Sequence, residues 1–307
     1  QRENDNYADL HYLLKDYNIS YNYAATLWKE NKEAQKNKNN GQILAMAASY
    51  ERTRKVLPEN LRLPDQLNLR NHLEPLPAAH AEVEALQKAY KGYFAFDSLA
   101  TEKMVKQLAP DYAIIHLAMH GLLDAKRPML SSLTFTEDGD RVESNFWQAH
   151  EISKMNLNAD LVVLSACETG YGRFEQGNGI ASLARSFMYA GVPAMVVSLW
   201  QVNDVSTSFV MQSFYKNLAK GLPKDEALQQ AKLKYIETVG GGRDAINRVS
   251  IAAHLAFWSP FILIGDNAPI QVAQVNSSGE FNGWIIGGLA LITIIAIGAA
   301  IRRRKKE

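Results

Sequence analysis

The chain is expected to fold as an α/β domain on a mostly parallel sheet flanked by helices, followed by a single transmembrane helix. Three features of the sequence lead there: short apolar runs of strand length, amphipathic stretches of helical length between them, and a charge-free segment that ends in a block of cations.

The apolar runs are Ile43 to Ala48, Tyr93 to Phe96, Ala113 to Met119, Leu161 to Ala166, Ala194 to Leu199 and Phe261 to Ile264. Strands that are apolar at successive positions are buried on both faces, as in a parallel sheet between two helix layers. Between them, Leu, Val, Met and Phe recur at helical spacing in Ala78 to Tyr90, Thr101 to Leu108, Gly179 to Ala190, Val205 to Leu218 and Asp225 to Ile236. The polar stretch Glu30 to Gly41 reads as a surface loop or a frayed helix end, and Glu137-Asp138-Gly139-Asp140 as a hairpin turn. The chain shows no internal repeat.

Trp284 to Ile301 carries no charge and has Thr293 as its one polar side chain, enough as a helix to cross a hydrocarbon layer of about 30 Å. A buried core helix is the competing reading, but such a helix is seldom apolar on every face and followed by Arg302, Arg303, Arg304, Lys305 and Lys306. Asn267 to Asn282 lacks any period and reads as a tether. The expected organisation is therefore a domain over 1–266, a linker over 267–283, a span over 284–301 and a basic tail over 302–307. Gly283 and Gly287 give a small-xxx-small spacing, a weak sign of helix pairing. The cations after the span place the C-terminus in the cytoplasm and the domain on the opposite side. A tail-anchored arrangement would reverse this.

At 307 residues and 47% hydrophobic content the chain has the material for a large core. Lys plus Arg number 33 against 32 for Asp plus Glu. Without the five tail cations and Glu307 the balance is 28 to 31, so the body is slightly acidic and nucleic acid is not an expected partner. The one cysteine excludes an intramolecular disulfide and a multi-cysteine metal site. The chain opens on Gln1 with no charged-then-apolar leader, which reads as the cut edge of a longer protein.

Two apolar runs end in reactive side chains. Ile114-Ile115-His116-Leu117-Ala118-Met119 is followed by His120-Gly121, and Leu161-Val162-Val163-Leu164-Ser165-Ala166 by Cys167. Ligands of open α/β sheets bind beyond the carboxyl ends of the strands, so neighbouring strands would bring His120 and Cys167 to face each other in one crevice. A thiolate is a nucleophile, and an adjacent imidazole can take its proton and return it to a leaving amine. Gly121 and Gly170 suit close backbone approach, and the backbone N–H groups of Gly121 and Cys167 are candidates to hold an oxyanion. The competing reading of Cys167 is a small buried hydrophobe.

The ordered motifs resemble the CHAT domain, a caspase-like module often found beside tetratricopeptide repeats. They are His120-Gly121; Leu164-Ser165-Ala166-Cys167-Glu168-Thr169-Gly170; Gly177-Asn178-Gly179 with Leu183-Ala184-Arg185-Ser186-Phe187; Ala190-Gly191; Val197-Ser198-Leu199-Trp200-Gln201-Val202-Asn203-Asp204; and His254 with Trp258, Phe261 and Gly265-Asp266. Ile19-Ser20-Tyr21 and Leu76-Pro77 to Leu86 also match, so the resemblance covers about residues 7 to 266. It implies a caspase-like fold, a catalytic dyad of His120 and Cys167, a protein or peptide substrate, tetratricopeptide repeats upstream, and no cofactor. Asn178 stands where the family often has Glu, and the family's opening strand is expected to lie before Gln1.

Other residues have competing readings. His116 and His120 stand four apart on a strand and so on one face, compatible with a metal pair, but no third ligand accompanies them and no metal site is expected. His116 is instead expected to be a core histidine bonded to backbone, and His254, near Phe257 and Trp258, to be structural. The glycines at 170, 172, 177 and 179 lack both the third glycine of a dinucleotide fingerprint and a following Gly-Lys-Ser/Thr, so they read as a loop bordering the cleft. Asp204 either lines an acidic pocket for a Lys or Arg substrate residue or caps the helix that begins near Val205. The expected function is a membrane-anchored cysteine endopeptidase. The alternative is a catalytically silent interaction or scaffold module on the same fold, tethered to the membrane.

Overall fold

All six apolar runs enter one sheet. In the computed structural model they are β1 (Ile43–Ala47), β2 (Gly92–Phe96), β3 (Ile114–Ala118), β7 (Leu161–Leu164), β8 (Ala194–Ser198) and β9 (Phe261–Gly265), in the spatial order β2-β1-β3-β7-β8-β9. Between β3 and β7, β4 (Gly121–Leu122), β5 (Ser132–Thr134) and β6 (Phe146–Gln148) form a small antiparallel sheet. The structure describes residues 7–26, 29, 40–50, 73, 75–124, 126–137, 145–165, 178–200, 204–240 and 253–275, without the side chains at 178–181, 204, 205 and 240.

Pairing in the large sheet is parallel from β2 through β8, and β9 closes it antiparallel to β8. The parallel strands require crossovers, and the expected helices α1 (Pro77–Ala89), α2 (Glu102–Leu108) and α4 (Asn178–Tyr189) supply three of them, while the β3–β7 connection carries the small sheet and a short α3 (Ala149–Ile152) that the sequence pattern did not predict; the expected α5 (Asp204–Leu218) and α6 (Lys224–Tyr235) lie between β8 and the antiparallel β9. Alternate strand residues point to opposite faces, so the core has two halves. Leu44, Met46, Ile115, Leu117, Val162 and Leu164 pack with Val105 of α2, Ile152 of α3 and Phe187 of α4. Ile43, Ala45, Ile114, Val163 and Val196 pack with Val83 of α1, Phe214 of α5 and Leu228 of α6. Burial on both sides is why the strands read as unbroken apolar runs.

β5 and β6 pair antiparallel with Leu133 opposite Trp147, and residues 138–140 of the expected hairpin turn between them lie outside the described residues. Glycine is required by geometry at two of the motif positions. Gly265 has φ +100° and a Cβ there would lie 2.1 Å from Pro193 O, while Gly191 ends α4 at φ +104°. Tyr21 lies along the outer side of β9, donating its N–H to Leu263 O (2.9 Å) and accepting from Gly265 N–H (2.8 Å), so the N-terminal segment covers part of that sheet edge.

The tether begins later than expected. Lys91 N–H donates to Ala273 O (2.7 Å), Ala273 N–H donates to Gly41 O (2.8 Å), and Ile270 is buried, so the chain stays against the domain to Gln274. That residue is also the last of the first of two compact units, Gln1–Gln274 and Val275–Glu307. The apolar segment Trp284 to Ile301 and the cations after it lie outside the described residues. Among the described residues, no helix is long and apolar enough to cross a membrane.

Candidate active site

The strands that end in the two candidate catalytic residues are neighbours. β3 and β7 run parallel with Ile114 beside Leu161 and Leu117 beside Leu164, and Ser165 N–H donates to Leu117 O at 3.2 Å. Three residues beyond the Leu117–Leu164 pair, the chain reaches His120 on one side and Cys167 on the other. Cys167, Gly170 and the loop through Gly177 lie outside the described residues, so the site is built from the β3 side.

His120 follows the end of β3 and precedes β4, and its peptide is held at both ends. Its N–H donates to the Tyr50 hydroxyl (2.9 Å), and its carbonyl accepts from Thr134 N–H (2.9 Å). The Tyr50 hydroxyl in turn donates to Thr134 O (2.6 Å), and the Tyr50 and His120 rings lie 4.7 Å apart. Tyr50 stands three residues past β1, whose Ala47 pairs with Ala118 of β3, so two parallel strands deliver the two rings to the same end of the sheet. Sequence reading passed over Tyr50; the signal was a buried-type aromatic just past the strand adjoining β3.

His120 is 1% exposed, with the Tyr50 ring against its imidazole. Gly121 lies in β4 opposite Leu133, and among the described residues a Cβ there would come no nearer than 3.9 Å to Ser132 O.

His116 is a core residue with side-chain partners rather than the expected backbone ones. Its Nδ1 is 3.0 Å from the Tyr215 hydroxyl on α5, and its Nε2 is 3.1 Å from Glu82 Oε1 on α1, an ion-pair contact bent away from a straight hydrogen bond. Burial, with the Glu82 carboxyl second, holds the Tyr215 phenol well above its usual range. The strand ends between the two histidines, so His116 points to the α1 and α5 side while His120 packs on Tyr50 from the opposite half of the core. They share no ligand set, and among the described residues no group of three His, Cys, Asp or Glu could hold a metal ion.

α5 begins at Asp204, so this residue stands at the helix N-terminus; its side chain is not among those described. His254 is structural as expected: its Nδ1 accepts from Ala256 N–H (3.2 Å) and its ring meets Tyr7 edge-on. A groove of about 760 Å³ lies along α5 and α6, lined by Lys216, Lys220, Lys234, Glu237 and Gln274, and neither His120 nor Gly121 borders it.

Comparison with known proteins adds family and fold. The model of the CHAT domain matches residues 2–266. The chain is 23% identical over 243 residues to tetratricopeptide repeat protein 28 of Mus musculus, covering 69% of this chain and 9% of the relative. It is 26% identical over 123 residues to tetratricopeptide repeat protein 28 of Homo sapiens, covering 40% of this chain and 4% of the relative. The chain thus spans less than a tenth of the length of these relatives. Among solved structures, the Arg-specific cysteine proteinase gingipain R is similar at a TM-score of 0.48 and 13% identity, over 81% of this chain and 52% of that one. The Saccharomyces cerevisiae separase–securin complex is similar at a TM-score of 0.49 and 12% identity, over 84% of this chain and 14% of that one.

Proposed function

Since the chain belongs to the CHAT domain family, we propose that it is a membrane-anchored cysteine endopeptidase with Cys167 as nucleophile and His120 as base. The observation that carries the reading is the β3–β7 register, which runs toward His120 and Cys167 at the same step beyond two adjacent parallel strands. His120 takes the thiol proton as the sulfur adds to a peptide carbonyl, and the backbone N–H groups of Gly121 and Cys167 hold the oxyanion. Collapse breaks the C–N bond, and the amine leaves with the proton from His120. His120 then deprotonates a water that cleaves the thioester, which releases the carboxylic acid and restores the thiol. The substrate is a protein or peptide, and no cofactor enters any step. Tetratricopeptide repeats upstream, as in the names of the relatives, supply the surface through which a protein trigger acts, and the span Trp284 to Ile301 holds the module at a membrane.

The burial of His120 favours a second reading, a silent module that keeps the fold and binds without cutting. Labelling of the full chain with peptidyl chloromethyl ketones separates the two. Because Cys167 is the one cysteine of residues 1–307, thiol modification mapped to those residues reports on it alone. A peptidase labels at Cys167, and His120→Ala slows labelling by about 10² or more, the scale of a lost general base. Equal, slow labelling of both proteins would leave the scaffold reading in place.

A further inference from the structure

We infer that Tyr50 is the positioning residue for His120, which deepens the peptidase reading and rests on it. The hydroxyl of Tyr50 makes two hydrogen bonds of fixed direction. The Thr134 carbonyl can only accept, so the Tyr50 O–H donates to it at 2.6 Å; the oxygen lone pair is then directed at the His120 N–H, 2.9 Å away. Thr134 N–H closes the circuit on the His120 carbonyl at 2.9 Å. The peptide that carries the imidazole is thus pinned on both sides, and the Tyr50 ring lies against the imidazole at 4.7 Å with the planes tilted by 57°.

This arrangement matters because His120 lies past the last residue of β3, outside the main ladder that fixes the strand. Of the contacts around it, those to Tyr50 tie its backbone to the end of β1, and those to Thr134 tie it to β5. Tyr50 is 7% exposed, so water does not readily replace its hydroxyl if the oxygen is removed. Proton transfer is steep in geometry, and a misplacement of about 1 Å costs on the order of 10²-fold in rate. Tyr50→Phe keeps the ring and removes both hydrogen bonds of the hydroxyl, so it frees the His120 N–H, while Thr134 still holds the His120 carbonyl, without opening a cavity.

A neighbouring bond provides the control. Ser49 N–H donates to Thr136 Oγ1 at 2.9 Å, tying the same end of β1 to the same edge of the small sheet without touching His120. In the full chain, the rate of Cys167 alkylation by iodoacetamide is followed from pH 5 to 9 together with the thermal midpoint. Tyr50→Phe is expected to slow alkylation at neutral pH by about 10- to 100-fold. It should also move the inflection of the pH profile up, toward that of a free thiol near 8.5. Thr136→Val, with a comparable loss of thermal midpoint, is expected to keep the wild-type rate and profile. Replacement of Tyr50 by p-aminophenylalanine, whose amine keeps a donor for the Thr134 carbonyl but is a poor acceptor for the His120 N–H, is expected to lie between, and it replaces Tyr50→Phe should that variant not fold.

A wild-type rate and profile in the Tyr50 variant overturns the positioning role, as does an equal slowing in Thr136→Val. A different result marks failure of the underlying reading: if His120→Ala alkylates like wild type, the dyad itself falls. If His120→Ala is slow and the Tyr50 variant is fast, the dyad stands and the positioning role falls.

Discussion

His116 Nε2 and Glu82 Oε1 approach to 3.1 Å with both side chains essentially excluded from water. The pair sits under the centre of the sheet, where α1 crosses β3, and Tyr215 completes it from α5. Three polar groups from three elements hold one another in an apolar half of the core, so each is worth more as part of the set than alone.

Removal of one member therefore costs more than removal of two. His116→Leu strands the Glu82 carboxyl and the Tyr215 hydroxyl, and is expected to lower unfolding free energy by about 3 to 5 kcal/mol. Glu82→Leu/His116→Leu recovers part of that loss. Urea midpoints of the single and double variants check this, and additive losses would show that the pair is not coupled. Peptidase labelling in the folded fraction is expected to stay within a few-fold of wild type, because His116 lies on the far side of β3 from Tyr50.

Lys224 and Asp266 form a second buried pair, Nζ to Oδ2 at 3.0 Å, at 0% and 2% side-chain exposure. Nζ also donates to Ala268 O (2.7 Å) and contacts Asp266 O (3.3 Å), and Asn267 Nδ2 donates to Asp225 Oδ2 (2.8 Å), so the start of α6 is stitched to the chain leaving β9. Lys224→Met removes the cation from the buried Asp266 carboxylate, which keeps Ala268 N–H (3.2 Å) as a donor, with an expected loss of about 3 to 5 kcal/mol. Hydrogen exchange locates the effect: protection is expected to fall first at the start of α6 and at 266–268. Loss of protection confined to β1 and β3 would contradict the stitch.

Lys232 on α6 is buried, and burial lowers its pKa from 10.5 to about 8. The unfolded chain then binds more protons than the folded one between about pH 8 and 10.5, so stability rises with pH across that window. Below pH 8 the full penalty of a buried ammonium is present, on the order of 1 to 3 kcal/mol. Lys232→Met is expected to stabilise the protein at pH 7 and to lose that advantage as pH approaches 10.5. Denaturant midpoints of both proteins from pH 6.5 to 10.5 test the sign, and a gap that widens with pH would be incompatible with it.

These residues show which parts of the molecule were legible beforehand. Strands buried on both faces are apolar at nearly every position, so β1, β3, β7 and β8 stand out despite His116 and Ser198, and the helices between them carry the 3.6-residue period. β4, β5 and β6 span two or three residues each and include buried Ser132 and Thr134, which is too little length for alternation to register. The His-Gly motif marks the end of β3, and the apolar run that precedes the Cys motif is its parallel neighbour β7. Tyr50 and Thr134 are invisible because their roles depend on pairing between segments 84 residues apart. For His116 the burial was legible and the partners were not: Tyr215 is 99 residues away.

The last prediction is topological. Trp284 to Ile301 is expected to hold the full chain in a membrane, with the C-terminus in the cytoplasm and the α/β domain on the opposite side. Five cations follow the span at once, Arg302 to Lys306, and cations in a short flank are retained on the cytoplasmic side. Asn267 to Asn282 on the other flank has no Lys or Arg, so the asymmetry is five to none, and Trp284 is placed to anchor the outer interface. The orientation requires an export signal upstream of Gln1. Without one, insertion from the C-terminal end would leave the domain in the cytoplasm and force the basic tail across. In sealed vesicles of known sidedness, a tag after Glu307 is expected to be cut by added protease only when the cytoplasmic face is outward, and the domain only when it is inward. A tag reached from the non-cytoplasmic face reverses the orientation. Recovery of the full chain in the supernatant after carbonate extraction removes the span, and it leaves the Cys167 labelling result to stand or fall by itself.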